Sequence, residues 1–356
     1  MAGTRLSYVH SLRPRTTALL TVTGLRKSYR SRAGQATAVD SISLAVEAGQ
    51  VLSLLGPARA GKSVALSLIA GRERPDAGRI QLSGHDVPRG RHDIGHVATG
   101  FGFTARQSVR EVMTAALRTG GSGRRGLDDE LATVLARLTF DGDPDARVAE
   151  LPAREQLLVA IGREAVAGAR VLLLDEPLEP VERPLRDQAQ DDILALRQEF
   201  GLTLVIATRN PRQAMNLSER VAVMINGRLE QTGAPIEVYE RPATEEVAAL
   251  GGAVNLLGPA ASVQLLNQTA TFSVRPEKIR IVETGYEAAP DEVLAIGTVL
   301  TVVYGGATTR ITIQLDADAA VIRVLRMNSA APEDLPASPG QRVTLIWPRR
   351  DATRFV

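Results

Sequence analysis

Two hydrophobic patterns divide the chain. Up to about residue 250, short unbroken apolar runs alternate with stretches of helical spacing. Val51-Leu52-Ser53-Leu54-Leu55, Val171-Leu172-Leu173-Leu174 and Leu202-Thr203-Leu204-Val205-Ile206 are runs of the kind a parallel sheet buries on both faces. Helical spacing marks Val64–Ala70, Val109–Leu117 and Leu127–Leu138. Gly120–Gly126 separates the last two as a mobile basic loop carrying Arg124 and Arg125. Thr21-Val22-Thr23 and Ile42–Val46 read as strands before the first buried run, with Gly34 and Gln35 in the turn between them. Pro75–Gly78 is a turn before a strand at Arg79–Leu82, and Val221–Met224 is a strand entering a tight turn at Asn226-Gly227. Alternation of this kind predicts an α/β core with its ligand at the carboxyl ends of the strands.

Beyond Leu250 helical periodicity fades. Short β-type runs follow at Ala270–Val274, Ile279–Val282, Gly297–Val303, Thr309–Leu315, Val321–Leu325 and Arg342–Trp347, punctuated by Gly and Pro. They predict a small all-β barrel-like unit. The expected organisation is an N-terminal extension over 1–18, an α/β domain over 19–245 with a helical subdomain at about 98–160, and an all-β domain over 246–356. A length of 356 residues accommodates both domains.

One stretch carries recognisable chemistry. Gly56-Pro57-Ala58-Arg59-Ala60-Gly61-Lys62-Ser63 follows a buried strand and, from Val64, opens a helix. This is G-x-x-x-x-G-K-[ST] in its required setting. Gly56 and Gly61 let the backbone curl so that successive N–H groups point at phosphate oxygens. Lys62 can reach the outer phosphates, and Ser63 can offer its hydroxyl to Mg²⁺. Lysine occurs only at 27, 62 and 278 in a chain that otherwise writes its positive charge as arginine, and one of the three falls here.

A second element completes a nucleotide site. The run Leu172-Leu173-Leu174 ends in Asp175-Glu176-Pro177. Asp175 is placed to hold Mg²⁺ through water, and Glu176 to polarise a water in line with the terminal phosphate as the catalytic residue.

Composition narrows the alternatives. Net charge of +2 is too small to argue for nucleic acid on electrostatics, and the absence of cysteine excludes disulfides and thiolate metal sites. No segment approaches about 18 consecutive apolar residues, so no transmembrane helix is predicted. The four histidines (His10, His85, His92, His96) lack ligand spacing and read as surface or turn residues.

With the P-loop and the Asp175-Glu176 strand in place, the chain resembles the nucleotide-binding subunits of ABC transporters from about Leu20 to its C-terminus. Tyr29 stands where that family stacks an aromatic on adenine. Arg220–Met224 through Gly227, Gln231, Gly233, Tyr239 and Pro242 follows the family pattern after its last core strand. The tail resembles the OB-fold-like TOBE domain of importer ATPases through Val274-Arg275-Pro276-Glu277, Gly297–Gly306 and Gly340–Trp347. Its likeness is to the spermidine/putrescine, ferric-ion and maltose importers and related anion branches. The resemblance implies ATP and Mg²⁺ as ligands, a second nucleotide-binding subunit, integral membrane permease subunits, an indirect link to a substrate-binding protein, and a peripheral place on the cytoplasmic face of the membrane.

Several motifs depart from the family. Its signature L-S-G-G-Q, which grips the phosphate bound to the opposite subunit, reads Leu151-Pro152-Ala153-Arg154-Glu155. Pro152 has neither hydroxyl nor N–H, and Ala153 and Arg154 put side chains where close approach calls for glycine. Arg154 could supply charge to phosphate but not that geometry. The family's Q-loop glutamine aligns with Thr99, which is too short for its reach. The switch histidine aligns with Arg209, which stays protonated. The D-loop, S-A-L-D in the family, reads Glu179-Pro180-Val181-Glu182. Ala58 and Ala60 replace small hydroxyl residues in the P-loop, and Arg59 adds a charge there. The expectation is an importer subunit that binds MgATP, hydrolyses it weakly alone and works beside a more ordinary paralogue. A non-hydrolysing structural or regulatory subunit is the alternative, and a soluble ribosome- or DNA-directed member of the family fits the tail less well.

Overall fold

β1 (Leu20–Ser31) and β2 (Gly34–Val46) form an antiparallel ribbon, extended by β4 (Ala77–Leu82) and β5 (His85–Asp86) into a sheet of order β2-β1-β4-β5. The structure, a computed structural model, describes residues 18–31, 34–87, 93–123, 126–328 and 337–355. The 1–17 part of the expected N-terminal extension, His10, His92, Arg124 and Arg125 lie outside them. Gly34 and Gln35, expected in a turn, instead open β2 by pairing with Ser31 and Arg30. The apolar alternation that marks this strand begins only at Val39, because residues 34–37 are exposed.

The buried runs assemble into the central sheet. β3 (Val51–Leu55), β6 (Ile94–Val97), β7 (Val171–Asp175), β8 (Thr203–Thr208) and β9 (Arg220–Ile225) run parallel in the order β9-β3-β8-β7-β6, and β10 (Arg228–Gly233) adds antiparallel to β9. Successive residues of these strands enter different cores. Leu52, Leu54, Val171, Leu173, Val205 and Ala207 pack with the β1–β2 ribbon and α1 (Lys62–Ile69). Val51, Leu172, Leu174, Leu204 and Ile206 pack with α2 (Val109–Thr119), α3 (Leu127–Arg137), α4 (Ala153–Val166) and α5 (Arg186–Phe200). Burial on both faces is why the runs are continuous rather than alternating. α2 begins where a capping box forms: Ser108 accepts from the Glu111 N–H while Glu111 accepts from the Ser108 N–H.

His96 corrects the reading of the histidines. It lies in β6, 5% exposed, rather than on the surface or in a turn, whereas His85 is exposed in β5. Ile94 and Val97 flank it in two different cores, so the strand is covered on both sides. Neither ring nitrogen finds a hydrogen-bond partner.

Asn210 caps α6 (Pro211–Leu217), with Pro211 in its first turn. α7 (Pro235–Glu240) and α8 (Glu245–Gly251) then pack Val238 and Val247 against Leu55, Ala214, Val221 and Val223 of the parallel-sheet domain. The remainder is mainly β: β11 (Asn255–Leu257), β12 (Thr271–Val274) and β18 (Ala352–Phe355) form one antiparallel sheet. β13 (Arg280–Val282), β14 (Glu292–Tyr304), β15 (Thr308–Leu315), β16 (Val321–Met327) and β17 (Arg342–Pro348) form another, in the order β13-β17-β14-β15-β16. They enclose a core around the fully buried Trp347. The β-type runs of the sequence fall on these strands. α9 (Pro259–Leu266) was not anticipated, because its eight residues are too few to establish a period.

Arg275, from the tail's Arg-Pro-Glu motif, joins the two parts. Its buried guanidinium donates to the carbonyls of Tyr239 (2.9 Å), Ala248 (3.0 Å), Ala253 (3.1 Å) and Gly252 (3.3 Å). It also lies 4.1 Å from the centre of the Tyr239 ring, whose hydroxyl donates to Glu277 at 2.6 Å. Among the described residues no helix is long and apolar enough to cross a membrane.

Candidate functional site

The loop between β3 and α1 is held by close backbone contacts. Gly61 caps α1 at φ +98°, and a Cβ there would sit 2.1 Å from the Ala38 carbonyl oxygen. A Cβ at Gly56 would sit 2.1 Å from the Met224 carbonyl oxygen. Only glycine fits either position. The Ala60 N–H donates to Pro57 O at 3.3 Å, and Ala60 O accepts from the Gly227 N–H at 3.0 Å, so the turn after β9 braces the loop. Pro57, Ala58 and Arg59 form its exposed rim, with Arg59 at a left-handed φ of +64°, while Ala60 is buried and Val64, in the first turn of α1, packs half-buried against the core.

Lys62 is 6% exposed and its Nζ donates back to Gly56 O (2.9 Å) and Pro57 O (3.0 Å). The same nitrogen stands 3.9 Å from Glu176 Oε1. Burial pushes the Lys62 pKa down, against the pull of the Glu176 and Asp175 carboxylates. Asp175 ends β7 beside the loop, where the neighbouring Ser63 favours its ionised form. Burial raises the Asp175 pKa, and its Oδ1 is buried without a partner. The structure thus brings Lys62, Ser63, Asp175 and Glu176 together at the carboxyl ends of β3 and β7. Such a group can cradle phosphate on backbone N–H groups and the lysine.

Glu176 has a left-handed φ of +48°, a strained conformation for a residue with a Cβ. Its N–H donates to Ala207 O at 2.9 Å. Its Oε2 accepts from the Arg209 backbone N–H and its Oε1 from Arg209 Nε, both at 3.2 Å. Burial raises the Glu176 pKa, and the Arg209 N–H, Lys62 and the Arg209 charge oppose that rise. The Arg209 terminal nitrogen also donates to Glu179. Thr99 lies beside the same strand end, its hydroxyl 3.2 Å from the Asp175 carbonyl oxygen.

Other predicted site residues make contacts away from the loop. On β1, Tyr29 donates its hydroxyl to Glu73 at 2.7 Å and lies under Lys27; burial and Glu73 push its pKa up to about 12. Pro152 caps α4, leaving Ala153 as its first residue, and Gln156 donates to Leu151 O at 2.8 Å. Arg154 grips Asp192 of α5 with two bonds of 2.6 and 2.8 Å, and Glu155 follows in the first turn of α4. Glu182 is exposed and precedes a short 3₁₀ turn. The same loop is strapped by Arg186, which donates to Val181 O (2.9 Å) and Glu179 O (3.3 Å). Sequence reasoning missed the pairing roles of Glu179, Arg186 and Asp192; their charge signs alone gave no partner.

Residues 39–179 match the ABC transporter family and residues 272–355 the TOBE domain. The chain is 33% identical to the uncharacterized ABC transporter ATP-binding protein YdcT of Escherichia coli (strain K12), over 89% of this chain and 93% of the relative. It is also 33% identical to the spermidine/putrescine import ATP-binding protein PotA of Thermobifida fusca (strain YX), over 90% of this chain and 89% of the relative. Its fold is shared with the dimeric structure of MJ0796, a bacterial ABC transporter cassette, at a TM-score of 0.55 and 20% identity, covering 61% of this chain and 98% of that one. The cbiO1 subunit from Clostridium perfringens, part of the ABC transporter complex cbiONQ, aligns at a TM-score of 0.55 and 24% identity over 65% of this chain and 93% of its own. P-loop cassette followed by TOBE domain, the chain belongs to the ATP-binding proteins of ABC transporters.

Proposed function

We propose that the chain is the MgATP-binding subunit of a multisubunit importer, docked on the cytoplasmic side of permease subunits, with its own hydrolysis impaired. The observation that carries the binding half is the convergence of Lys62, Ser63 and Asp175 on a loop whose glycines leave no room for a Cβ. ATP is the substrate: backbone N–H groups of Gly56–Ser63 and the Lys62 ammonium bind its phosphates, and Tyr29 receives the base. The Ser63 hydroxyl and the partnerless, buried Asp175 Oδ1 fit a hard cation with oxygen ligands. Bound there, Mg²⁺ would offset phosphate charge. Glu176 is the group that acts on water.

Impaired turnover is supported by what surrounds that group. Arg209 occupies both oxygens of Glu176, and Arg154 is committed to Asp192 in its own subunit. With Pro152 at the start of α4, the segment Leu151–Glu155 offers a partner subunit neither a hydroxyl nor glycine backbone. We therefore favour pairing with a paralogue that supplies an intact signature to this chain's ATP; a homodimer would hold two damaged sites. Import as the direction rests on the names of the relatives and on this chain's own TOBE tail, and a substrate-binding protein would engage the permease rather than this chain. The same contacts favour a second reading, a non-hydrolysing structural or regulatory subunit.

The test is a titration of the purified chain with a fluorescent ATP analogue and Mg²⁺ beside Lys62→Ala. Saturable binding lost in the variant is expected; equal binding by both would sink the assignment.

A further inference from the structure

We propose that Glu179 is a positioning residue of this site: it holds the Arg209 guanidinium on Glu176 and so keeps the proposed base occupied. The inference rests on Glu176 being the group that acts on water.

The geometry begins at Glu176. Its Oε1 meets Arg209 Nε at 3.2 Å and Lys62 Nζ at 3.9 Å, and its Oε2 meets the Arg209 N–H at 3.2 Å. With both oxygens engaged, the carboxylate is not free to accept a hydrogen bond from water in the direction of the phosphates. What keeps the guanidinium there is its far end, which donates to Glu179. Glu179 lies three residues on in a turn closed by its own N–H donating to Glu176 O at 3.0 Å. Arg209 therefore bridges two carboxylates of one turn, and Arg186 fixes that turn from the other side through Glu179 O and Val181 O.

This bridge can open. Arg209 and Glu179 are 46% and 48% exposed, so salt screens their attraction. Both line a cavity of about 440 Å³ together with Glu176, Arg186 and Asn210, which leaves the guanidinium room to swing away. A plain surface ion pair would have the same exposure, but it would not touch the residue proposed to activate water. Glu179 thus connects a loop at the surface to the orientation and reach of Glu176.

The experiment is phosphate release at saturating MgATP by the full chain and its Glu179→Ser, Glu179→Asp and Glu176→Gln variants, with analogue binding measured beside each. Glu179→Ser is expected to raise kcat at least about tenfold above the Glu176→Gln background, with KM little changed, since freeing a general base acts on the chemical step. The gain should vanish in the double variant Glu179→Ser/Glu176→Gln. Glu179→Asp, which restores the carboxylate, should return the rate to that of the unsubstituted chain. Raising salt from about 0.05 to about 0.5 M should lift kcat of the unsubstituted chain and leave Glu179→Ser unmoved. If the serine variant does not fold, Glu179→Gln carries the same expectation. A kcat in Glu179→Ser at or below that of the unsubstituted chain, with nucleotide still bound, overturns this inference alone. Failure of the unsubstituted chain to bind nucleotide overturns the proposed function and this inference with it.

Discussion

The Arg154 guanidinium lies along the Asp192 carboxylate, Nε 2.6 Å from one oxygen and a terminal nitrogen 2.8 Å from the other. A fork of this kind satisfies both groups and ties the start of α4 to α5. It also commits to Asp192 the charge that the sequence places within Leu151–Glu155.

Replacing Arg154 therefore separates stability from binding. Arg154→Gly leaves Asp192, 14% exposed, without its partner and is expected to lower unfolding free energy by about 1–3 kcal/mol. ATP-analogue affinity of the isolated chain should not change. Urea denaturation and an analogue titration measure the two effects.

Gly61→Ala should do the reverse damage to the loop. The added Cβ would stand 2.1 Å from a backbone carbonyl at a φ of +98°, so the loop must shift. We expect nucleotide binding to fall by at least about tenfold through lost phosphate contacts, measured by the same titration.

His96 makes stability depend on pH. Burial, with Arg72 adding repulsion, holds its pKa down at about 4 from the ordinary 6.5. The folded protein resists protonation that the unfolded chain accepts, so this contribution is complete above about pH 6.5 and is lost as pH falls towards 4. The shift amounts to roughly 3 kcal/mol. Denaturant midpoints should fall between pH 7 and 4 more steeply in the native chain than in His96→Met.

Arg275→Ala should loosen the junction between the two parts. It leaves the carbonyls of Tyr239, Ala248, Gly252 and Ala253 without their donor and takes the cation off the Tyr239 ring. A loss of about 3 kcal/mol is expected from calorimetry, with Arg275→Lys recovering only part because an ammonium cannot span the same acceptors.

Local order carried most of what was legible. The β3–loop–α1 stretch and the Leu172–Glu176 run declare themselves because strand, turn and chemistry are contiguous. The paired cores on either side of the sheet follow from unbroken apolar runs. What stayed hidden depends on distant partners. Asp192 reaches Arg154 only after α4 and α5 pack, and Glu179 meets Arg209 only where β7 and β8 end side by side. His96 gave no warning of burial, since one polar residue in a four-residue strand erases the apolar signal. Arg275 was visible as part of a motif, but its ring of carbonyl acceptors belongs to a chain reversal that no periodicity records.

The central claim is that this chain binds MgATP at an intact P-loop and turns it over poorly by itself. Phosphate release by the purified chain, at an ATP concentration shown to saturate binding, tests it most directly. The account predicts a rate indistinguishable from that of Glu176→Gln. A sustained rate that disappears in Glu176→Gln would contradict it, showing a working site despite Pro152, Thr99 and Arg209.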